Sequence, residues 1–284
     1  MLEKHVAITG ATAGIGRYAA LDFASRGADL TLFCRNPDKA VALQQEITAA
    51  GGKSPTIIAM DMADLSSVRQ AAEEFLASAR PLDVLLNNAG VVNTSRRETV
   101  DGFEETLAVN HFAPFLLTGL LLPALQQANH ARIVNVASHA HTFVKSMGFD
   151  DMQAEKGYKT FREYGRSKLA NILFTRSLAQ RLEGTDITVN CLHPGAVATS
   201  LGTNNKGLVS WLLPALLKPF FRSPQQGAAT SIYLCTSEEV SATSGEYFAN
   251  CKQARAKPWG RDDQQAQRLW EYTQETLGYN YPAL

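Results

Sequence analysis

Short, continuous runs of apolar residues recur along the chain: Val6 to Ile8, Leu30 to Phe33, Thr56 to Met60, Val84 to Leu86, Ile133 to Val136 and Ile187 to Cys191. A strand with one face in water alternates apolar and polar residues, so unbroken apolarity predicts strands buried on both faces. The stretches between them have helical spacing and are predicted to start helices at Gly14, Pro37, Asp64, Gly102, Tyr158 and Ser223, with Gly27 and Gly51 as stops. A last helix is expected from Asp262 to Leu277, with Gly278 as its C-cap. Strands alternating with helices predict an α/β fold, a single-domain Rossmann-type doubly wound parallel sheet flanked by helices. Ligands of such a sheet lie over the carboxyl ends of its strands.

Nothing in the 284 residues reads as a linker, so one domain spanning 1–284 is expected. Lys+Arg and Asp+Glu both number 27, the sequence pI is near 7.0 and no basic run occurs, which argues against a nucleic-acid partner. Cys34, Cys191, Cys235 and Cys251 lie far apart and fit reduced thiols. Without a Cys-x-x-Cys or His-x-x-x-His pair, no metal site is expected. The first strand begins close to Met1, which leaves no place for a signal peptide. The chain is expected to be soluble and cytoplasmic, without a transmembrane segment. The apolar stretch from Leu208 to Phe221 is too short to span a bilayer and is interrupted by Pro214, Lys218 and Pro219.

After the first strand comes Thr9-Gly10-Ala11-Thr12-Ala13-Gly14-Ile15-Gly16. Small residues there let the backbone approach a pyrophosphate, and the N-terminus of the next helix offers unpaired N–H groups. Such turns also occur for packing alone, but the position at the first strand-to-helix junction favours dinucleotide binding. At the end of the second strand, where an acidic residue binds the ribose of NAD, stands Cys34-Arg35-Asn36. Arg35, with Arg17 nearby, could hold a 2′-phosphate, so NADP (NADPH) is expected over NAD. Asp61 and Met62 follow the third strand and are placed to contact adenine through a carboxylate and a backbone N–H, although Asp at a strand end also caps helices. Asn87-Asn88-Ala89-Gly90 follows the fourth strand, where small residues let the chain pass close to a cofactor; turn chemistry alone is the competing explanation.

Tyr164 and Lys168 stand four residues apart, on one face of a predicted helix. A nearby ammonium lowers a phenol's pKa by roughly one to three units, which makes the tyrosine a proton donor near neutral pH.

Together, Thr9 to Gly16, Asn87 to Gly90, Ser138, Tyr164-x-x-x-Lys168 and Pro194-Gly195 resemble the short-chain dehydrogenase/reductase family over essentially the whole chain. A finer resemblance, to its retinol-dehydrogenase-like branch, is carried by Tyr164 to Asn171, Leu192-His-Pro-Gly195, Ser223 to Gly227, Ser244 to Phe248 and Arg268 to Glu271. The branch generally prefers NADP. The resemblance implies that Tyr164 is the general acid and base, that Lys168 lowers its pKa and binds the nicotinamide ribose, and that Ser138 donates to the substrate oxygen. It implies too that Asn110 holds a water linking the lysine to solvent. Pro194 to Thr199 would line the nicotinamide, with Val197 by its amide and Thr199 near the phosphates. His139 and His141 flank Ser138, but the family's chemistry needs no histidine there, and they read as loop residues.

In this family the segment after the sixth strand closes over the substrate, so a lid is expected near 200–223, and its apolarity suggests a lipophilic carbonyl or alcohol. A membrane-surface contact or a subunit interface would also use such a segment. Phe143, Val144, Met147 and Phe149 are expected to form the opposing wall. Family members often form dimers or tetramers through the helices carrying Asn110 and Tyr164, and monomers occur in this and neighbouring branches. The expected activity is an NADP-dependent oxidoreductase on retinoid-, steroid- or aldehyde-like compounds. The alternative is a non-catalytic NADP-binding regulator. An epimerase or dehydratase would show Thr-Gly-x-x-Gly-x-x-Gly and a larger C-terminal region, and neither is present.

Overall fold

The apolar runs form strands as predicted: β1 His5–Thr9, β2 Asp29–Cys34, β3 Thr56–Ala59, β4 Val84–Asn87, β5 Arg132–Val136 and β6 Thr188–His193. The computed structural model describes residues 3–197 and 222–282. Most of the expected lid, and Thr199, fall outside the described residues. Two further strands, β7 Tyr247–Ala249 and β8 Lys252–Ala254, complete one sheet in the order β3-β2-β1-β4-β5-β6-β7-β8. All neighbours run parallel except β7 and β8, an antiparallel hairpin that Asn250 and Cys251 close with positive φ.

Successive strand residues point into two different cores, which explains the unbroken apolar runs. Ala7, Leu85 and Ile133 face one core, and Val6, Ile8, Leu86 and Val134 face the other. The second core is closed by α1 Gly14–Ser25, α2 Pro37–Ala49 and α6 Pro224–Thr236. The first is closed by α3 Leu65–Ala77, α4 Glu105–Gln126, α5 Thr160–Arg181 and α7 Asp263–Leu277. The result is a single α/β domain.

Two helices start later than the sequence predicts. Gly102 sits in a turn at φ 82°, and α4 begins where the Glu104 carboxylate accepts from the N–H groups of Thr106 (2.8 Å) and Leu107 (2.7 Å). Tyr158 lies ahead of α5 because its hydroxyl is tied to Thr106 Oγ1 (3.0 Å) and donates to the Asn93 carbonyl (3.1 Å). By length and composition α4 could cross a membrane, yet 89% of that apolar window is buried inside the fold, as suits a core helix. Its residues 108–112 are wound as a π-helix, with the Ala113 N–H bonded to the Ala108 carbonyl. Pro114, which has no N–H to offer the carbonyl four residues back, favours this local widening.

α7 packs across α4 and α5, the helices through which the resemblance implies subunit contact. Trp270 lies 4.9 Å from the Phe115 ring and 4.7 Å from Tyr281, and Arg181 stacks over it at 4.0 Å. Arg176 pairs with Asp263 at 2.7 Å. Since Trp270 is almost wholly buried, Trp270→Ala should cost about 3–5 kcal/mol of stability in urea denaturation.

Candidate active site

The chain changes direction across the sheet between β1 and β4, and the predicted site residues gather over the carboxyl ends of the strands there. The β1 turn and the β4 loop are clamped together. Thr9 Oγ1 accepts from the N–H groups of Asn88 and Ala89, both at 3.0 Å, and Asn88 Nδ2 donates to the carbonyls of Thr9 (2.9 Å) and Gly10 (3.2 Å). Gly10 and Gly14 take φ of 69° and 53°, and a Cβ on Gly16 would collide with the Gly10 carbonyl and Asn88 Nδ2. Ala13, exposed, is the N-cap of α1 and gives no side-chain cap, and the first turn holds no acidic residue. By contrast α2, α3, α6 and α7 are each capped by a side chain. First-turn N–H groups without a side-chain cap among the described residues, beside a left-handed glycine turn, suit a phosphate ligand, so the residues present fit a dinucleotide.

The other predicted cofactor residues divide. Thr12 is half-buried in the turn, and Ile15 belongs to the core, where it packs with Val197 near Gly227. Pro194 and Gly195 follow β6, with Gly195 at φ 92° beside Arg222. The Met62 side chain is buried in the core, leaving only its backbone for the expected contact. One carboxylate oxygen of Asp61 accepts from the Ala63 N–H (2.9 Å), while Asp64 caps α3. Arg35 is exposed at the end of β2 and forms no ion pair among the described residues. Arg17, expected to assist it, is paired with Glu46 instead.

Asn110, in the π segment, joins the β4 loop to α5. Its Oδ1 accepts from the Val91 N–H (2.7 Å), and its Nδ2 donates to the Val91 carbonyl (2.9 Å) and to Ser167 Oγ (2.9 Å). Ser167 Oγ in turn donates to the Tyr164 carbonyl (2.8 Å). Thr9 and Ser167 stand inside motifs the sequence marks, but their hydroxyls were given no role, because a hydroxyl used as a tie carries no spacing signal of its own.

The Tyr164 phenol stands beside the Ser138 hydroxyl. Ser138 Oγ accepts from the Ala140 N–H (3.1 Å). Lys168 is 3% exposed, donates to the Val136 carbonyl at 3.0 Å and lies 5.7 Å from the Tyr164 ring centroid. A Cβ on Gly90 would sit 3.3 Å from its Nζ and 3.1 Å from Asn110 Oδ1, so the β4 loop passes directly beside both. The four predicted catalytic residues therefore stand together.

Their electrostatics differ from expectation. Burial pushes the Tyr164 phenol above its ordinary range, and the neighbouring Ser138 hydroxyl only partly opposes it. Burial also lowers Lys168 to about 8. Instead of one charge lowering its neighbour, burial holds both groups toward neutrality, since Lys168 loses hydration like the phenol.

The expected opposing wall is mostly core. Met147 and Val144 are buried, and Phe149 packs under Arg268 at 4.2 Å. Only Phe143 is exposed, at 57%, edge-on to Phe161 at 6.0 Å, itself 68% exposed and three residues before Tyr164. His139 is exposed, while both ring nitrogens of buried His141 are engaged, with the Ser138 carbonyl (2.7 Å) and the Lys257 N–H (3.4 Å).

A model of the short chain dehydrogenase family matches residues 4–207. The chain belongs to the short-chain dehydrogenase family. It is 42% identical to retinol dehydrogenase 12 of Mus musculus over 279 residues, which cover 98% of this chain and 87% of that protein. With human retinol dehydrogenase 13 it shares 37% over 287 residues, 99% of this chain and 86% of that one. Among solved structures, an uncharacterised protein from Mycobacterium paratuberculosis superposes with a TM-score of 0.80 at 28% identity, covering 99% of this chain and 96% of that one. A protein from Beutenbergia cavernae described as an NAD(P)-dependent gluconate 5-dehydrogenase, solved with bound NADP at low occupancy, gives 0.71 at 28%, covering 88% and 96%. This short-chain dehydrogenase is thus an oxidoreductase of the retinol-dehydrogenase-like branch, acting with a nicotinamide cofactor on CH–OH or C=O groups.

Lys168 also makes a stability prediction. Its folded pKa is about 8, below the unfolded ~10.4, so the unfolded chain binds more protons between those values and stability from this group rises with pH across that window. In urea denaturation at pH 8 and pH 10, Lys168→Met should lose a rise on the order of 2 kcal/mol relative to the parent protein.

Proposed function

We propose that the enzyme uses NADP(H) in preference to NAD(H) to interconvert a lipophilic carbonyl and its alcohol, with Tyr164 as general acid and base. The observation that carries this reading is the Tyr164 phenol beside the Ser138 hydroxyl, with the buried Lys168 next to it, at the carboxyl ends of β5 and β6. When bound, the cofactor supplies or accepts a hydride. The chain's own residues handle the rest. Tyr164 Oη gives its proton to the carbonyl oxygen during reduction and takes it back in oxidation, and the Ser138 hydroxyl donates to the same oxygen as charge develops there. Lys168 carries positive charge next to the phenol, Asn110 holds the β4 loop against α5, and the α1 N-terminus binds the pyrophosphate.

Arg35 supports the cofactor preference. It is exposed, free of an acidic partner among the described residues and followed by Asn36 rather than a carboxylate, so a 2′-phosphate would gain a cation there. Arg35→Ala should lower the NADPH-to-NADH ratio of kcat/KM by about tenfold or more, in line with roughly 1.5–3 kcal/mol for a charged hydrogen bond. An unchanged ratio would remove Arg35 from the preference.

The apolar substrate class rests on the retinol dehydrogenases among the relatives and on the exposed Phe143–Phe161 pair near Tyr164. NADPH oxidation measured against a series of aldehydes of increasing chain length should give kcat/KM values that rise with length. Equal values across the series would contradict a lipophilic pocket.

A further inference from the structure

Three histidines meet where β5 and β6 end. His139 follows Ser138, His141 lies one turn further on, and His193 is the last residue of β6. The His139 ring is 6.2 Å from His141 and 5.6 Å from His193. Each ring has a different task. His141 must carry its proton on Nδ1, because it faces the Ser138 carbonyl, and must accept at Nε2, because it faces the Lys257 N–H. It is neutral and fully engaged. His139 is exposed.

His193 differs from both. Its Nδ1 faces two N–H groups, from His139 at 3.1 Å and from Gly195 at 3.3 Å. Only a proton-free nitrogen accepts from N–H donors, so the ring is neutral with its proton on Nε2. Burial, with His139, Arg222 and His141 around it, lowers its pKa to about 4 and keeps this form present at neutral pH.

The position of these bonds gives them a consequence. The β5–β6 ladder ends with the Ala137 N–H donating to the Leu192 carbonyl at 2.8 Å. Ser138 comes next, and the residue after it is bonded to the His193 ring. The imidazole thus adds one side-chain rung to the sheet, and Ser138 is held to β6 through both of its sequence neighbours. The same nitrogen fixes the turn at Pro194-Gly195, on the other side of the site.

We propose that His193 is a positioning residue, whose proton-free Nδ1 sets the Ser138 hydroxyl against Tyr164 by tying the turn after β5 to the turn after β6. This rests on the catalytic reading of Ser138 and Tyr164. Without the rung the Ser138 turn has, among the described residues, no backbone bond beyond Ala137 to hold it on β6, and a misplacement of about 1 Å costs on the order of a hundredfold in rate.

The test compares His193→Leu, His193→Asn and His193→Gln with the parent enzyme. The Asn side chain places an oxygen near the position of Nδ1, whereas that of Gln reaches past it. His193→Leu and His193→Gln should lose about ten- to a hundredfold in kcat with a smaller change in KM, and His193→Asn should stay within roughly threefold of the parent. Independently of turnover, nitrogen-15 NMR of the parent should show His193 Nδ1 without a proton, and the His139 amide should lose exchange protection in His193→Leu but not in His193→Asn. A protonated Nδ1, unaltered exchange in His193→Leu, or an Asn variant as slow as the Leu variant would overturn the proposal. If the parent turns over no carbonyl compound, the catalytic reading fails on its own, and the tautomer and exchange measurements still decide whether His193 ties the two turns.

Discussion

The carboxamide of Asn110 is the bond set on which the site depends. One end accepts from the Val91 N–H, and the other donates to the Val91 carbonyl and to Ser167, so a single side chain fastens the β4 loop to the helix carrying Tyr164 and Lys168. Its placement follows from the backbone. The π-helical segment 108–112, favoured by the missing N–H of Pro114, turns this residue inward. An amide buried with unpaired ends would cost several kcal/mol, and here both ends are matched.

From that link the geometry spreads along hydrogen bonds. Ser167 relays it to the Tyr164 carbonyl, Lys168 is anchored on Val136, and Thr9 with Asn88 holds the glycine turn against the same β4 loop. Ser138 follows β5, while Tyr164 and Lys168 stand on α5, which packs against strands buried on both faces. On the proposed reading, preorganisation of this kind would let a hydroxyl pair act on a carbonyl oxygen without first rearranging.

The strands were legible because burial on two faces leaves an unbroken apolar run, and the site was legible because Tyr164, Lys168, the glycine turn and Ser138 carry their chemistry in fixed spacings. What escaped detection lacks such marks. The β7–β8 hairpin has strands of three residues, and Cys251 stands where a two-residue turn with positive φ usually places glycine. Val144 and Met147 look like substrate wall in sequence, but the same apolarity puts them in the core. Arg17 was matched to a phosphate, while Glu46, far along the chain, had the nearer claim. Tyr164 shows the limit most clearly: the spacing to Lys168 reveals adjacency, but only the packing reveals that desolvation outweighs attraction in the protein itself.

The most direct test is Tyr164→Phe, which removes one oxygen from a half-buried ring, with NADPH binding and carbonyl turnover measured side by side. NADPH affinity should stay within about threefold while kcat falls by roughly a thousandfold or more, the loss expected when a general acid is removed. Turnover near that of the parent would show that the proton reaches the carbonyl oxygen by another route.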